Sequence, residues 1–385
     1  MKYSVEELNS SNAQDWNKLN EESPQGSFFH TLKWIDALDH FPDYPQVKPS
    51  HFIVYRNDEP VALCPFYRNK WEIKGLFTIC ALQSDPNIVV SCPDDASVEQ
   101  QIVLKCKEII RKEGIAFTNI ILQPETKDFF RSMNMLPHQP PDWSAGVMKL
   151  DLQENSLQRI WDSLSTSERK RYKQIEKDGW KIYEATSKEE MATFYAHYKA
   201  NMEYVHGHCR KFSFFEYLMQ TFRTSDFTFR TSNYMTSYPR EMLLLLLRKN
   251  ETVAAGILSF LFDAKQTMYC VYAALNRNVP KFHSALPFLT WHAIRKASEM
   301  GYTTASLGGT SANPNDIHYQ IKAKFGCSFE PRYAVTFPRL GALVNSAVTR
   351  LDSMSSTISG TMTRRVLNGG PARKNGVQGS LASSW

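Results

Sequence analysis

The stretch Ser306–Gly326, SLGGTSANPNDIHYQIKAKFG, sets a double glycine ahead of a polar loop and then two lysines, Lys322 and Lys324, just before Phe-Gly. A lysine beside a glycine-bearing strand end can oppose the oxyanion that develops when an acyl group moves onto an amine, where fixed cations and N–H donors act most strongly. Gly308 and Gly309 open backbone conformations closed to other residues, which suits close approach to a substrate and equally a tight turn leaving a strand. Asp316 and Glu330 are the nearby carboxylates that could take the amine's proton, and Lys324 would be solvated or would neutralise donor phosphates. The chain has neither G-x-x-x-x-G-K-[ST] nor G-x-G-x-x-G, so a phosphate-cradling loop is not expected. It also has no G-x-S-x-G, which leaves nucleophilic serine chemistry without support.

A second group of reactive residue types, His206, His208 and Cys209 in YVHGHC, has metal-ligand character. Ligands this close in sequence need a distant fourth to close a tetrahedron, and none stands out, so no metal is expected. The seven cysteines are scattered and contain no C-x-x-C, the pattern of reduced thiols in a cytoplasmic protein. The N-terminus has no basic region followed by an apolar run, so no secretory signal is expected. The run Met242–Leu247 is too short to cross a bilayer, so no transmembrane segment is expected, although peripheral contact with a membrane stays open. The formal charge is +6, but five basic residues and one acid lie beyond residue 340, so most of the excess sits in the tail. A general nucleic-acid-binding face is not established.

These groups need elements to hold them. A chain of 385 residues exceeds the size at which one core stops growing, so two domains are expected. In the second half EMLLLLLRKN, TVAAGILSFLFD and KQTMYCVYAAL read as an antiparallel meander, followed by a helix ending at Gly301 and a strand TTASLGG. In the first half HFIVYRND, EPVALCPFYR and KGLFTICAL repeat the meander, followed by a helix ending at Gly114 and a strand AFTNIILQP. Asn57 to Asn250 spans 193 positions and Gly114 to Gly301 spans 187, so a structural duplication is inferred. The boundaries predicted are residues 1–145, 146–340, and a tail, 341–385, with a short amphipathic helix and a disordered basic end. The segment 165–181 reads as a basic, solvated helix, and residues 188–205 and 212–222 as two more helices.

These pieces in this order resemble the FemAB-type aminoacyltransferases and related proteins of the GNAT (Gcn5-related N-acetyltransferase) fold. The likeness rests on SPQGSFFHTLKW with Ser23, Pro24 and Trp34, on SERKRYKQIEKDGWKI with Arg171, Ile175, Lys177 and Gly179, on ETVAAGIL, and on SLGGTS with YQIKAKFG. The resemblance implies an α/β (α+β) chain of two tandem GNAT-like domains, each a mixed, mainly antiparallel sheet flanked by helices. It implies a catalytic role for Lys322, and substrate contacts from Trp34, Arg210, Phe214, Tyr272, Gly308, Gly309 and Lys324. Ile321 precedes the lysine where the family has phenylalanine, and Leu38 stands where sugar-nucleotide-binding members have lysine, which turns the reading away from a peptidoglycan precursor.

The expected function is therefore transfer of an aminoacyl or acetyl group to an amine of a cell-envelope or exopolysaccharide precursor, in the cytoplasm or against the inner membrane face. The donor would be aminoacyl-tRNA or acetyl-CoA, with no tightly bound cofactor, and a CoA pyrophosphate would fall near Asn276–Phe288, where Lys281 and His283 lie. Two alternatives stand beside it: N-acetylation of a small metabolite, and a catalytically silent two-domain scaffold that kept the fold.

Overall fold

In each half an asparagine-bearing turn joins two strands of the meander, β3 (Phe52–Arg56) to β4 (Glu59–Cys64) and β11 (Met242–Lys249) to β12 (Thr252–Phe262). The computed structural model describes residues 1–41, 47–73, 77–84, 95–122, 137–138, 145–205, 207–223, 241–279 and 282–337. Asn57 and Asp58 have φ of 51° and 64°, and Asn250 has φ of 51°, the left-handed backbone that a two-residue hairpin turn requires and asparagine tolerates. The predicted tail, 341–385, lies outside the described residues.

The first module runs β1 (Tyr3–Glu7), α1 (Ala13–Glu22), α2 (Leu32–His40), β2 (Lys48–Pro49), β3 (Phe52–Arg56), β4 (Glu59–Cys64), β5 (Tyr67–Ile73), β6 (Phe77–Gln83), α3 (Ala96–Glu113), β7 (Phe117–Leu122) and β8 (Pro137–His138). Helix α3 starts at Asp95, whose side chain accepts from Ser97 N, and ends at Gly114 with φ of 63°. Its face of Val98, Ile102, Val103, Cys106 and Ile109 is buried against Ile120, Leu122 and Leu82 of the sheet. Apolar burial of this kind contributes about 1.5–3 kcal/mol for each large side chain.

The second module runs β9 (Gly146–Asp151), α4 (Leu157–Ser163), α5 (Thr166–Lys177), β10 (Lys181–Glu184), α6 (Lys188–Tyr204), α7 (Phe212–Arg223), β11 (Met242–Lys249), β12 (Thr252–Phe262), β13 (Thr267–Leu275), α8 (Ala285–Glu299), β14 (Thr304–Thr310), α9 (Ile317–Ala323), β15 (Ser328–Pro331) and β16 (Tyr333–Phe337). Its seven-stranded sheet has the order β10-β11-β12-β13-β14-β9-β15. All its pairs are antiparallel except β13 with β14, and the first module repeats that exception in β6 with β7. Helix α8 packs on the β11–β13 face, as the meander-helix-strand order requires. The fold is thus mixed α/β, with the same meander-helix-strand order in both halves.

Three features differ from the sequence reading. Strand β16 does not join the sheet of the module that precedes it; it pairs antiparallel with β7, so the chain's last described strand completes the first module's six-stranded sheet. Helix α5 is not simply solvated, because Tyr172 is buried against Phe288 and Trp161, and Arg169 donates from Nη1 to the carbonyls of Asp162 and Leu164 at 2.8 Å each. The guanidinium thereby satisfies carbonyls that the end of α4 leaves unpaired. The loop after Gly309 is also partly helical: Asp316 caps α9, its Oδ1 accepting from His318 N and Tyr319 N.

The modules share a core. Phe28, Trp34, Ala37, Leu38 and Tyr67 of the first pack with Phe194, Phe214, Phe215, Phe222 and Phe260 of the second, and Phe28 stacks on Phe260 with ring centroids 4.3 Å apart.

Candidate active site

The parallel pairing of β13 and β14 lasts only from Thr267↔Thr304 to Tyr269↔Ser306. Beyond it β13 accommodates one extra residue, Val271, where its register with β12 shifts between Leu258 and Ser259. On the other side β14 shifts its register with β9 between Ser306 and Gly309, helped by φ of 79° at Gly308. Bulges on both flanks bend the two strands apart, a common device for re-aiming side chains next to a site.

Lys322, on α9, reaches into this region. It is completely buried, and its Nζ donates to the carbonyl oxygen of Gly309 at 2.6 Å. Burial lowers the ammonium to about 8, against the raising influence of Cys327, Cys270 and Asp316. The two thiols beside it are pushed up by the same burial, Cys270 to about 11 and Cys327 to about 12, so both are neutral and inert. A buried ammonium held by a backbone carbonyl is a strong donor in a low-dielectric setting, able to release its proton near neutral pH.

The other predicted contacts form a second cluster at the junction of the modules. The Arg210 guanidinium lies 4.4 Å over the Phe214 ring, and its Nη1 donates to Phe41 O at 3.5 Å. Tyr272 packs edge-on to Phe214, Phe215 and Tyr198, with centroids 6.1, 5.1 and 5.8 Å away. Trp34 meets Phe214 at 6.1 Å. Trp34 and Phe214 are themselves buried, so they back Arg210 and Tyr272 from beneath. Strand β13 connects the two clusters: Cys270 belongs to the core beside Lys322, and Tyr272, past the extra residue, packs with the aromatic core.

Residues 165–320 match the model of the acetyltransferase (GNAT) domain. The match lies within the second module. No curated protein matches the chain. Among solved structures the chain is similar to FemX, at 13% identity and a TM-score of 0.62, covering 86% of this chain and 96% of that one. It is also similar to L-PGS from Bacillus licheniformis, at 14% identity and 0.53, covering 90% and 98%. A third is a tandem GNAT protein from the clavulanic acid biosynthesis pathway, at 11% and 0.51, covering 87% and 97%. At these identities the likeness is one of fold.

The remaining candidates of the GNAT domain are tied to structural partners. Lys324 pairs with Glu168 at 2.7 Å, linking α9 to α5, and Glu330 pairs with Lys149. Asp316 is engaged as a helix cap. His206 and Lys281 lie outside the described residues, and among those described no group of His, Cys, Asp and Glu has metal-binding geometry. Nor is any described helix long and apolar enough to cross a membrane.

A cleft of about 400 Å³ lies at the start of α8, lined by Arg171, Gln174, Trp180, Val279, His283 and Ser284 among others. Ser284 occupies the N-cap of α8 directly after a 3-10 turn, Phe282–Ser284, and makes no side-chain hydrogen bond to the helix. Arg171 belongs to the basic helix that carries the family resemblance and His283 to the segment 276–288, whereas Trp180 has no distinguishing sequence signal. Cys270 and Cys327 are likewise not marked in the sequence, since a buried thiol has no distinguishing pattern.

Proposed function

We propose that the protein is an acyltransferase that moves an aminoacyl or acetyl group onto an amine of a cell-envelope or exopolysaccharide precursor, with its chemistry in the C-terminal module, residues 146–340. The observation that carries this reading is the buried Lys322 ammonium, held at 2.6 Å by Gly309 O where β13 and β14 part. A separating strand pair gives an extended donor arm a path to the sheet, and Lys322 supplies the cation that the tetrahedral oxyanion requires. The amine nucleophile sheds a proton as the C–N bond forms and the thioester or ester bond of the donor breaks, and the departing thiolate or alkoxide takes it up.

Arg210 and Tyr272 are assigned to the acceptor, with Trp34 and Phe214 fixing their positions, and Gly308, Gly309 and Lys324 to the donor side. The cleft at the start of α8 supports a phosphate-bearing donor, because Arg171, His283 and the helix N-terminus converge there. Both acetyl-CoA and aminoacyl-tRNA satisfy that chemistry. FemX and L-PGS share the fold, which supports the aminoacyl donor; the acetyltransferase domain match supports acetyl-CoA.

Thermal-shift titration with CoA, acetyl-CoA and charged tRNA separates the donors, and turnover with a panel of amine acceptors then compares wild type with Lys322→Met. Donor binding with loss of turnover in the variant is expected. The reading fails if neither donor binds, or if Lys322→Met turns over like wild type.

A further inference from the structure

The cleft at the start of α8 is more specific than a phosphate site. Its volume of about 400 Å³ falls within the range of small-molecule pockets, about 300–1,000 Å³. Ile175, Leu247, Ala254 and Val279 give it an apolar floor continuous with the core of the second module. Trp180 lines it too, and is only partly buried. Trp16, Trp34, Trp161 and Trp291 each pack against another ring, whereas Trp180 meets none among the described residues. An indole in a cleft with no aromatic partner is left available to a planar ligand.

The polar wall comes from α5. Arg171, Gln174 and Asp178, at the C-cap, recur at i, i+3 and i+7, so they fall on one side of the helix, with about 10 Å along its axis between the first and the last. All three are exposed. Arg169 is tied to the carbonyls of α4, but Arg171 has no ion pair with any described residue. Gln174 Nε2 donates to Asp178 Oδ1 at 2.7 Å, which leaves Gln174 Oε1 and Asp178 Oδ2 as acceptors. The wall therefore sets a cation at one end and acceptors toward the other. A bare phosphate would use the first alone. An adenine nucleotide uses both, its phosphate at the cation, its exocyclic amine at the acceptors and its flat base against the apolar floor and the indole.

Position selects the carrier of that nucleotide. The sheet residues of the cleft are Leu247 of β11 and Ala254 of β12, three strands and two strands from β14, whose Gly309 holds Lys322. At a strand spacing of about 4.8 Å the cleft lies about 10–15 Å across the sheet from the ammonium. It shares the face, since Leu247, Ala254 and Cys270 belong to one core, and the end, since Leu247 pairs with Ala255 and Ala255 with Leu275 at the close of β13. In aminoacyl-tRNA the acyl ester sits on the ribose of the terminal adenosine, so that base cannot fill the cleft while its carbonyl meets Lys322. In a coenzyme A thioester a diphosphate and a pantetheine arm separate base from acyl group and span the gap. We propose that Trp180 and the Arg171–Asp178 side of α5 form an adenine-nucleotide site, and that the donor is a coenzyme A thioester with its base on Trp180 and a ribose-borne phosphate at Arg171. The donor role rests on the acyl-transfer reading; the binding of the nucleotide rests on the cleft alone.

The test is calorimetric titration of the full chain with CoA, adenosine 3′,5′-bisphosphate, its inosine counterpart, 4′-phosphopantetheine and the trinucleotide CCA. Adenosine bisphosphate should bind and compete with CoA, and the inosine form, whose carbonyl would oppose the two acceptors, should bind at least about tenfold more weakly. Trp180→Ala and Arg171→Gln should each weaken CoA at least about tenfold and leave 4′-phosphopantetheine unchanged. Adenosine bisphosphate should quench tryptophan emission of the wild type, while Trp180→Phe, which keeps a ring to stack on, should bind it without that part of the quenching. The proposal is overturned if adenosine bisphosphate does not bind, if either weakened variant holds CoA like the wild type, or if CCA competes as well as adenosine bisphosphate. Turnover with charged tRNA by a chain that does not bind CoA would sink this proposal alone. Intact turnover in Lys322→Met would sink the mechanism assigned to the lysine and leave the nucleotide site standing.

Discussion

Lys33 of the first module and Glu241 of the second form an ion pair at 2.8 Å with side chains only 2% and 7% exposed. Burial pushes the Glu241 carboxyl up to about 7 even though the Lys33 ammonium acts to lower it. The pair sits where α2 meets the start of β11, with the Lys33 ammonium 5.8 Å from the Phe222 ring centroid. Removing one partner from such a pair strands the other, whereas removing both can be nearly neutral. Lys33→Met is therefore expected to lower stability by about 3–5 kcal/mol, with Lys33→Met/Glu241→Leu recovering most of it. Urea unfolding of the two variants checks this; a single substitution as stable as wild type would show that the pair does not couple the modules.

Glu99 presents the opposite case, a carboxyl with no partner. It is 1% exposed, and neither oxygen has a hydrogen-bond partner. Burial, reinforced by Asp95, raises it to about 8 from an ordinary value of 4.5. A raised folded-state value means that the unfolded chain ionises first as pH rises. Stability contributed by the protonated form is complete below pH 4.5 and drains away up to pH 8. Glu99→Gln should gain about 1–3 kcal/mol at pH 7 and flatten the decline across that window. Melting temperature against pH, in both proteins, is the measurement, and parallel curves would refute the assignment.

Glu168 and Lys324 together tie α4, α5 and α9. The Glu168 carboxylate accepts from Ser165 N at 3.2 Å in a reciprocal capping box and pairs with Lys324 at 2.7 Å, while Ser163 Oγ donates to Lys324 O at 3.0 Å. Burial alone would raise the carboxyl, but Lys324 and Ser165 outweigh it and hold it below the usual carboxylate range. Glu168→Ala removes a cap and an interhelical pair together and is expected to cost about 1–2 kcal/mol. Hydrogen exchange should locate the effect: amides of α9 and the start of α5 open faster. An effect confined to α5 would mean that the pair with Lys324 contributes nothing.

The meander, helix and strand of each half were legible because local signals mark them: turn residues at Asn57 and Asn250, helix ends at Gly114 and Gly301, and apolar runs between. The strands after those helices begin where the repeat puts them, with Phe117 opening β7 and Thr304 opening β14. Strand β16 was not legible, because pairing with β7 brings together segments that nothing in either sequence designates. The short helix α9 was missed since seven residues carry little periodicity and its start depends on the Asp316 side chain. Lys322 came from resemblance; its complete burial could not, since lysine is ordinarily exposed and only the tertiary placement of α9 against β14 overrides that.

That burial gives Lys322 a testable signature. A value lowered to about 8 by burial means that, between about pH 8 and the ordinary 10.5, the unfolded chain holds a proton the folded one has released. Stability therefore rises with pH across that window, and below it the buried charge is a standing penalty. Methionine has a similar length and no charge to desolvate, so Lys322→Met should melt at the same temperature as wild type or higher at pH 7 and should lose the alkaline rise. If the ammonium also stabilises the oxyanion, the same substitution should lower turnover by about 10²–10³. A lysine kept only for packing would show neither loss: Lys322→Met would be stable and active. A lysine kept for structure through its bond to Gly309 O would show the reverse, a lower melting point with activity falling only in proportion to unfolded protein. Differential scanning fluorimetry from pH 7 to 10.5 together with initial rates on folded protein distinguishes the three, and only higher or equal stability with lost turnover agrees with a catalytic ammonium.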